Sequence, residues 1–356
     1  MGGWDIKLWQ YVLRRVLLFI PTLLGLTIIV FVLIHIGGTN KLLAMYLSPR
    51  LTGAARQQII AELDQKFHFN DPIYIQYFYW LGQIFEGNWG ITNTPIFSGP
   101  VTQAIEIFFP NTLMLTIVAA ILIWFISIPL GVHTAVNRDK PSDNTIRVAS
   151  LTFYAMPWYL IGIVLIIIFA VWLKILPISG TVNPSLVAGL SWYKNGISYP
   201  THVLLIDALI HGDFVVAGNA FLHLIMPSLT LALGVMAALV RLMRGTMLET
   251  LDQDFVNFAR AKGVPEKVVI NLYAKNNALL PVITNFGYLV AGLLGGVVVI
   301  EDVFSYPGIG MWLTDAMINN DMGGIMGGTL LFGIILVVTS LILDLIYAKI
   351  DPRIRY

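Results

Sequence analysis

The chain has 356 residues, 57% of them apolar and only 12% charged, with a formal net charge of +1. Soluble domains carry about a quarter charged residues, so a mean hydropathy of +0.79 places the protein in a membrane. The balanced charge excludes a basic nucleic-acid footprint. The absence of cysteine excludes disulfides, thiolate catalysis and Cys-ligated metals.

Six stretches contain no Asp, Glu, Lys or Arg: Val16–Ile36, Asn111–Val136, Val148–Leu173, Phe214–Val240, Asn276–Ile300 and Met322–Leu343. Each matches or exceeds the roughly 20 residues that carry a helix across a bilayer core. They predict an all-α integral membrane fold, one transmembrane domain over 1–356, with spans at 11–36, 111–136, 148–173, 218–244, 278–300 and 323–347. The first run, preceded by Lys7, Arg14 and Arg15, outlasts a signal-peptide core and ends in Gly37-Gly38-Thr39-Asn40 without a cleavage site. It reads as a retained first span.

Segments 1–15, 137–147, 241–275 and 349–356 hold 15 of the 21 Lys and Arg residues. The positive-inside bias puts these segments, and therefore both termini, in the cytoplasm. Three regions then face outward. Residues 37–110 combine a polar, helix-like part (Gly53–Lys66) with the aromatic run Tyr74, Tyr77, Phe78, Tyr79 and Trp80, which suits the membrane interface or a substrate platform. The loop 174–213 is rich in Pro, Gly and Ser, with a short helix expected near Val203–Ile210. Residues 301–321 carry the turn Tyr306-Pro307-Gly308 and a stretch, Met311–Ile318, expected along the outer surface.

The cytoplasmic loop 245–277 divides into two short amphipathic helices. Asp254 is placed to cap the first, whose expected apolar face is Phe255, Phe258 and Ala259. Gly263 suits a left-handed stop, Pro265 suits the next first turn, and Val264, Val268 and Leu272 continue a stripe at i, i+4, i+8. Ala259, Ala261 and Gly263 are small enough to let another backbone approach. Spacing alone leaves two readings open, a docking element and an amphipathic linker on lipid headgroups.

The six charge-free runs lack the Asp, Glu, Lys and Arg that ion-coupled carriers place at bilayer depth. His35, His133 and His223 lie near run ends or beside proline and read as structural. No Gly-x-x-x-x-Gly-Lys-Ser/Thr occurs, so the chain has no P-loop. No His-Glu-x-x-His or His pair at i, i+4 occurs, so no catalytic residue, metal site or cofactor site is assigned. Power must then come from a separate ATPase. Gly292, Gly295 and Gly296, with Gly323, Gly324, Gly327 and Gly328, suit close helix packing, and Pro129 and Pro157 interrupt spans. Tyr154, Met156, Asn285 and Tyr288 are the candidates for lining a translocation path.

The segment Asp254-Phe255-Val256, Ala259-Arg260-Ala261-Lys262-Gly263, followed by Asn276 and Ala278-Leu279-Leu280-Pro281, resembles the EAA loop of ABC-importer permeases of the dipeptide/oligopeptide group. Tyr11–Arg15, Phe109-Pro110-Asn111-Thr112-Leu113, Met156-Pro157-Trp158, His223–Pro227, Phe304–Gly310 and Asp351–Tyr356 fall in that family's order, so the resemblance covers nearly the whole chain. Asp254-Phe255 stands where other ABC families place Glu-Ala, and Thr92 where this family usually has Ser.

The resemblance implies the type I importer fold and a coupling helix seated in a cleft of a cytoplasmic ATPase. Phe255, Phe258 and Arg260 would be contacts, and Ala259, Ala261 and Gly263 close-approach positions. It implies a membrane core of this chain with a second homologous permease, two ATPase subunits, an extracellular solute-binding protein, and peptide import by rigid-body alternating access. The alternatives are the same architecture importing oligosaccharides or nickel complexes, and an ATP-independent channel or secondary carrier.

Overall fold

The computed structural model describes residues 8–35, 53, 57–62 and 71–350. The terminal Asp351–Tyr356 motif and half of the expected Gly53–Lys66 helix lie outside the described residues. The chain divides into two compact units, Met1–Pro110 with Pro307–Tyr356, and Asn111–Tyr306.

In the first unit, α1 (Leu8–His35) packs with α2 (Ile73–Phe85) through aromatic contacts. The Tyr77 hydroxyl lies 2.9 Å from Thr27 Oγ1, and the Phe31 ring meets Tyr77 edge-on at 5.3 Å and Trp80 at 5.6 Å. The aromatic run is thus divided. Tyr77 and Trp80 hold α1, while Tyr74 and Phe78 stay 62% and 67% exposed, an arrangement suited to the bilayer interface.

A hairpin of β1 (Ile91–Asn93) and β2 (Ser98–Pro100), paired Ile91 to Pro100, leads into α3 (Val101–Val136). α12 (Ile309–Ile318) and α13 (Met322–Ile350) complete this unit, with α4 to α11 lying between α3 and α12 in the chain. Asp321 caps α13 by accepting from Gly324 N at 3.2 Å, and it also accepts from Asn93 N at 3.1 Å and the Thr92 hydroxyl. One buried carboxylate therefore fixes both the hairpin and the helix start. A Cβ on Gly327 would stand 2.2 Å from Val101 Cγ1, and one on Gly328 2.7 Å from Leu313 Cδ1. These glycines serve close packing.

In the second unit, α4 (Pro141–Ala155) follows α3, and α5 (Trp158–Leu165) continues as a π-helical turn over Ile166–Trp172. The loop 174–213 carries α6 (Pro184–Val187), a hairpin of β3 (Tyr193–Lys194) and β4 (Ile197–Ser198), and α7 (Leu204–Ile210), the last where the sequence placed it. α8 (Phe214–Leu251) is the helix around which this unit is built, packed along α11 (Lys275–Val303). Leu231, Leu239, Met243, Leu293, Val297 and Ile300 are sealed in their shared core. Between them lie α9 (Asp254–Ala261) and α10 (Glu266–Val268), which runs into a π-helical turn at Val269–Ala274.

Among the described residues, four helical stretches are long and apolar enough to cross a membrane: Val101–Val136, Phe214–Leu251, Glu266–Val303 and Met322–Leu343. The expected straight third span at 148–173 is instead a pair, α4 and α5 with its π turn, bent by 112°. The cause is local. Met156, before a proline, takes an extended conformation (φ −81°, ψ 135°), and Pro157 opens the next helix. The charge-free run at 148–155 belongs to α4, whose start is polar, and the rest of the expected span is α5 with its π turn. Counting the bent pair once gives five, and the apolar Leu17–Val32 stretch of α1 stands where the remaining span was expected.

Trp158, the first residue after the break, is seated between two helices. A Cβ on Gly296 of α11 would fall 1.1 Å from its ring, and one on Gly234 of α8 2.3 Å from its Nε1. The indole occupies the space that any larger residue at either position would need.

Candidate functional site

The loop joining α8 to α11 is built from its own buried base outward. Val256 and Ala259, one turn apart on α9, are 0% and 4% exposed. They join the core cluster that holds Met243 and Met247 of α8 and Val269 and Ala274 of the π turn. α9 is therefore anchored to the end of α8 by small apolar side chains, with two intervening residues, Asp252 and Gln253.

The expected apolar face is divided: Ala259 packs inward, while Phe255 and Phe258 are 42% and 61% exposed. Ala259 is consumed within the protein, whereas Ala261 and Gly263 are exposed. Asp254 is not the cap either. The helix starts one residue earlier than expected, Gln253 takes the cap position without a side-chain bond, and Asp254 sits in the first turn, where its charge favours the helix dipole.

The stop at Gly263 matches expectation. Its φ is +75°, Gly263 N donates to Arg260 O at 2.9 Å, and Val264 N donates to Ala259 O at 3.2 Å. This is the Schellman pattern, which satisfies the last carbonyls of the helix. Pro265 takes the cap position of α10 rather than its first turn. The π turn shifts the stripe, so Val269 is buried while Val268 and Leu272 are 38% and 57% exposed.

Around the turn the charges are arranged on the surface. Arg260 Nη2 donates to Glu266 Oε1 at 2.8 Å and Nε to Oε2 at 3.2 Å. The guanidinium holds the Glu266 carboxyl below the ordinary carboxylate range. Lys262 Nζ stands 4.5 Å from the centre of the Phe258 ring, within cation–π reach. The outcome is a rigid, exposed knob that presents Phe255, Phe258, Arg260, Ala261 and Lys262 on a base the protein itself fills.

The four path candidates do not form one group. Asn285 and Tyr288 are exposed on α11, on a stripe with Leu280, Gly292, Gly295 and Val299 at helical spacing. Asn285 Nδ2 donates to Pro281 O at 2.9 Å. Tyr154 is on α4, its ring 4.6 Å from the Arg241 guanidinium. Met156 caps α4 at the break and packs on the core.

Two charged groups escaped the sequence reading. Asp143 of α4, fully buried, accepts from Arg244 Nε at 3.0 Å and Nη2 at 2.8 Å. Glu301, also fully buried, accepts from the Thr112 hydroxyl at 2.6 Å. Each stands at or beyond the end of a charge-free run, the one signal that pointed to them. Their partners, 101 and 189 residues away in sequence, leave no mark in local spacing.

The family profile described as binding-protein-dependent transport system inner membrane component matches residues 127–356. The oligopeptide transport system permease protein AppB of Bacillus subtilis (strain 168) is 36% identical over 97% of this chain and 99% of its own length. The dipeptide transport system permease protein DppB of Escherichia coli (strain K12) is 33% identical over 98% and 99%. The probable D,D-dipeptide transport system permease protein DdpB of the same strain is 34% identical over 97% of each chain.

Proposed function

The chain belongs to the binding-protein-dependent transport system inner membrane components, and from that premise we propose that it forms half of the pathway of an ATP-driven peptide importer. Its partners are a second, homologous permease, two cytoplasmic ABC ATPase subunits, and an external solute-binding protein that delivers the peptide. Both termini lie in the cytoplasm, as the Lys and Arg placement requires. The peptide assignment follows the similarity to AppB, DppB and DdpB along their whole lengths.

The observation that carries the reading is the α9 knob. Two large aromatic side chains and two cations stand outward on a helix whose opposite face is welded to the end of α8. An exposed aromatic cluster on a rigid base is what a protein partner's cleft recognises, and the chain itself has no P-loop with which to bind ATP. Phe255, Phe258, Arg260 and Ala261 make the contact. Gly263 sets the turn, Ala259 anchors the helix from within, and Asp254 supports its first turn. On the pathway side, the exposed stripe of Asn285 and Tyr288 faces the second permease and the passing peptide. Tyr154 and Met156 belong at the edge of the path, next to the break.

In the cycle, ATP closes the ATPase dimer and draws the α9 helices together, the spans tilt to open outward, and hydrolysis resets them. A labelled alanine dipeptide accumulates in proteoliposomes holding the full complex, its binding protein and ATP, and none accumulates with this chain alone. Gly263→Trp inserts normally but fails to retain the ATPase on purification. Transport by this chain without ATPase subunits, or undiminished association in Gly263→Trp, rejects the reading.

A further inference from the structure

α4 looks at first like a connector, yet α8 grips it at both ends. Near its start, the Arg244 fork closes on Asp143, which also accepts Asp139 N at 3.0 Å. The Arg244 guanidinium holds that carboxyl below its usual range. Near its other end, Arg241, one turn earlier on α8, lies over the Tyr154 ring. Asp143 is sealed, and the Arg244 side chain is 19% exposed. A bidentate arginine–carboxylate pair fixes orientation as well as distance. A polar helix that only linked two spans would need neither grip.

What lies on either side of α4 gives the grips a use. Arg244 is on the last turns of α8, the part that shares its core with α9 through Met243, Met247, Val256 and Ala259. A displacement of α9 is therefore a displacement of Arg244. At its far end α4 stops at the Met156-Pro157 break, where the extended Met156 backbone separates it from α5. α5 begins with Trp158, lodged against Gly234 and Gly296.

Resting on the reading of α9 as the ATPase contact, we propose that Asp143 and Arg244 are positioning residues for transport, making α4 a lever that turns displacement of α9 into rotation of α5 about the Met156-Pro157 break. The movement reaches the membrane by two routes. One runs directly along α8, and the second runs through the ion pair into α4 and α5.

The chain has no cysteine, so one introduced thiol gives a unique label on it. In the assembled permease–ATPase complex, a fluorophore on Trp172→Cys reports α5, and one on Val299→Cys reports α11. Both sites are exposed on this chain, and Val299, on the stripe assigned to the second permease, reports α11 at that face. With ATP and vanadate, both labels shift in the otherwise unaltered chain. In Asp143→Asn the α5 shift falls on the order of tenfold, a usual size for coupling between sites, while the α11 shift and ATPase retention persist. Arg244→Lys, which keeps the charge but loses the fork, and Arg241→Gln give intermediate losses. If Asp143→Asn does not accumulate, Arg244→Lys decides. An α5 shift of full size in the folded, assembled variants overturns the lever. Failure of both labels to respond in the unaltered chain rejects the ATP-driven reading itself, and failure of the α5 label alone overturns the lever.

Discussion

Two arginine–carboxylate forks in the same unit do opposite jobs. Arg244–Asp143 joins two helices that are far apart in sequence, with side chains 19% and 0% exposed, while Arg260–Glu266 spans a single turn with side chains 38% and 55% exposed. Their closest distances are equal, 2.8 Å. Burial is what separates them. A sealed pair, once formed, must stay formed, because removing one member strands the other in a medium that cannot solvate it. An exposed pair costs little to open and can exchange partners. The first is suited to transmitting force, the second to meeting another protein.

The contrast is broken most severely from the buried side. Asp143→Ala leaves the Arg244 guanidinium without its fork and should cost about 3–5 kcal/mol, read as a large fall in the thermal midpoint of the detergent-purified complex. Gly296→Leu comes next. Its side chain needs the space held by Trp158, and such overpacking costs about 1–3 kcal/mol, with a change in Trp fluorescence at that site. Gly263→Ala has room for its methyl group but not the backbone freedom. At φ +75° an L-residue pays about 1–2 kcal/mol, visible as faster hydrogen exchange in α9 with the spans unaffected.

The smallest effect belongs to the exposed fork. Glu266→Gln should change stability by less than about 1 kcal/mol. Because the folded carboxyl is lowered by Arg260, its contribution is present above the unfolded carboxylate range and is lost as pH falls through the lowered folded value. The difference between Glu266→Gln and the parent should therefore disappear in acid and shrink in high salt. A difference that grew in acid would reverse the sign of this interaction.

The sequence displayed some of this and concealed the rest for physical reasons. Charge-free runs reveal spans because lipid forbids the exceptions, and Gly263 was legible because a left-handed stop has few candidates. The orientation of α9 was not. Phe255 with Phe258 and Val256 with Ala259 both satisfy helical spacing, and spacing alone does not say which pair lies inward. The fold buries the smaller pair, because small side chains let α9 lie close on α8, and it leaves the aromatics outside. The break at Met156-Pro157 was hidden inside a run that looked continuous. Proline is the visible sign, but its presence does not give the size of the 112° bend. The Asp143–Arg244 fork depends on tertiary packing alone.

The central claim is that α9 carries the contact through which an ATPase drives this permease. Phe258→Cys, the sole thiol in the chain, tests it most directly when a short bifunctional crosslinker is added to the assembled complex. The account predicts a covalent adduct with the ATPase subunit and none from Phe78→Cys on α2. A Phe258 thiol that stays free in the assembled complex, or that an impermeant reagent labels from outside the cell, would contradict it.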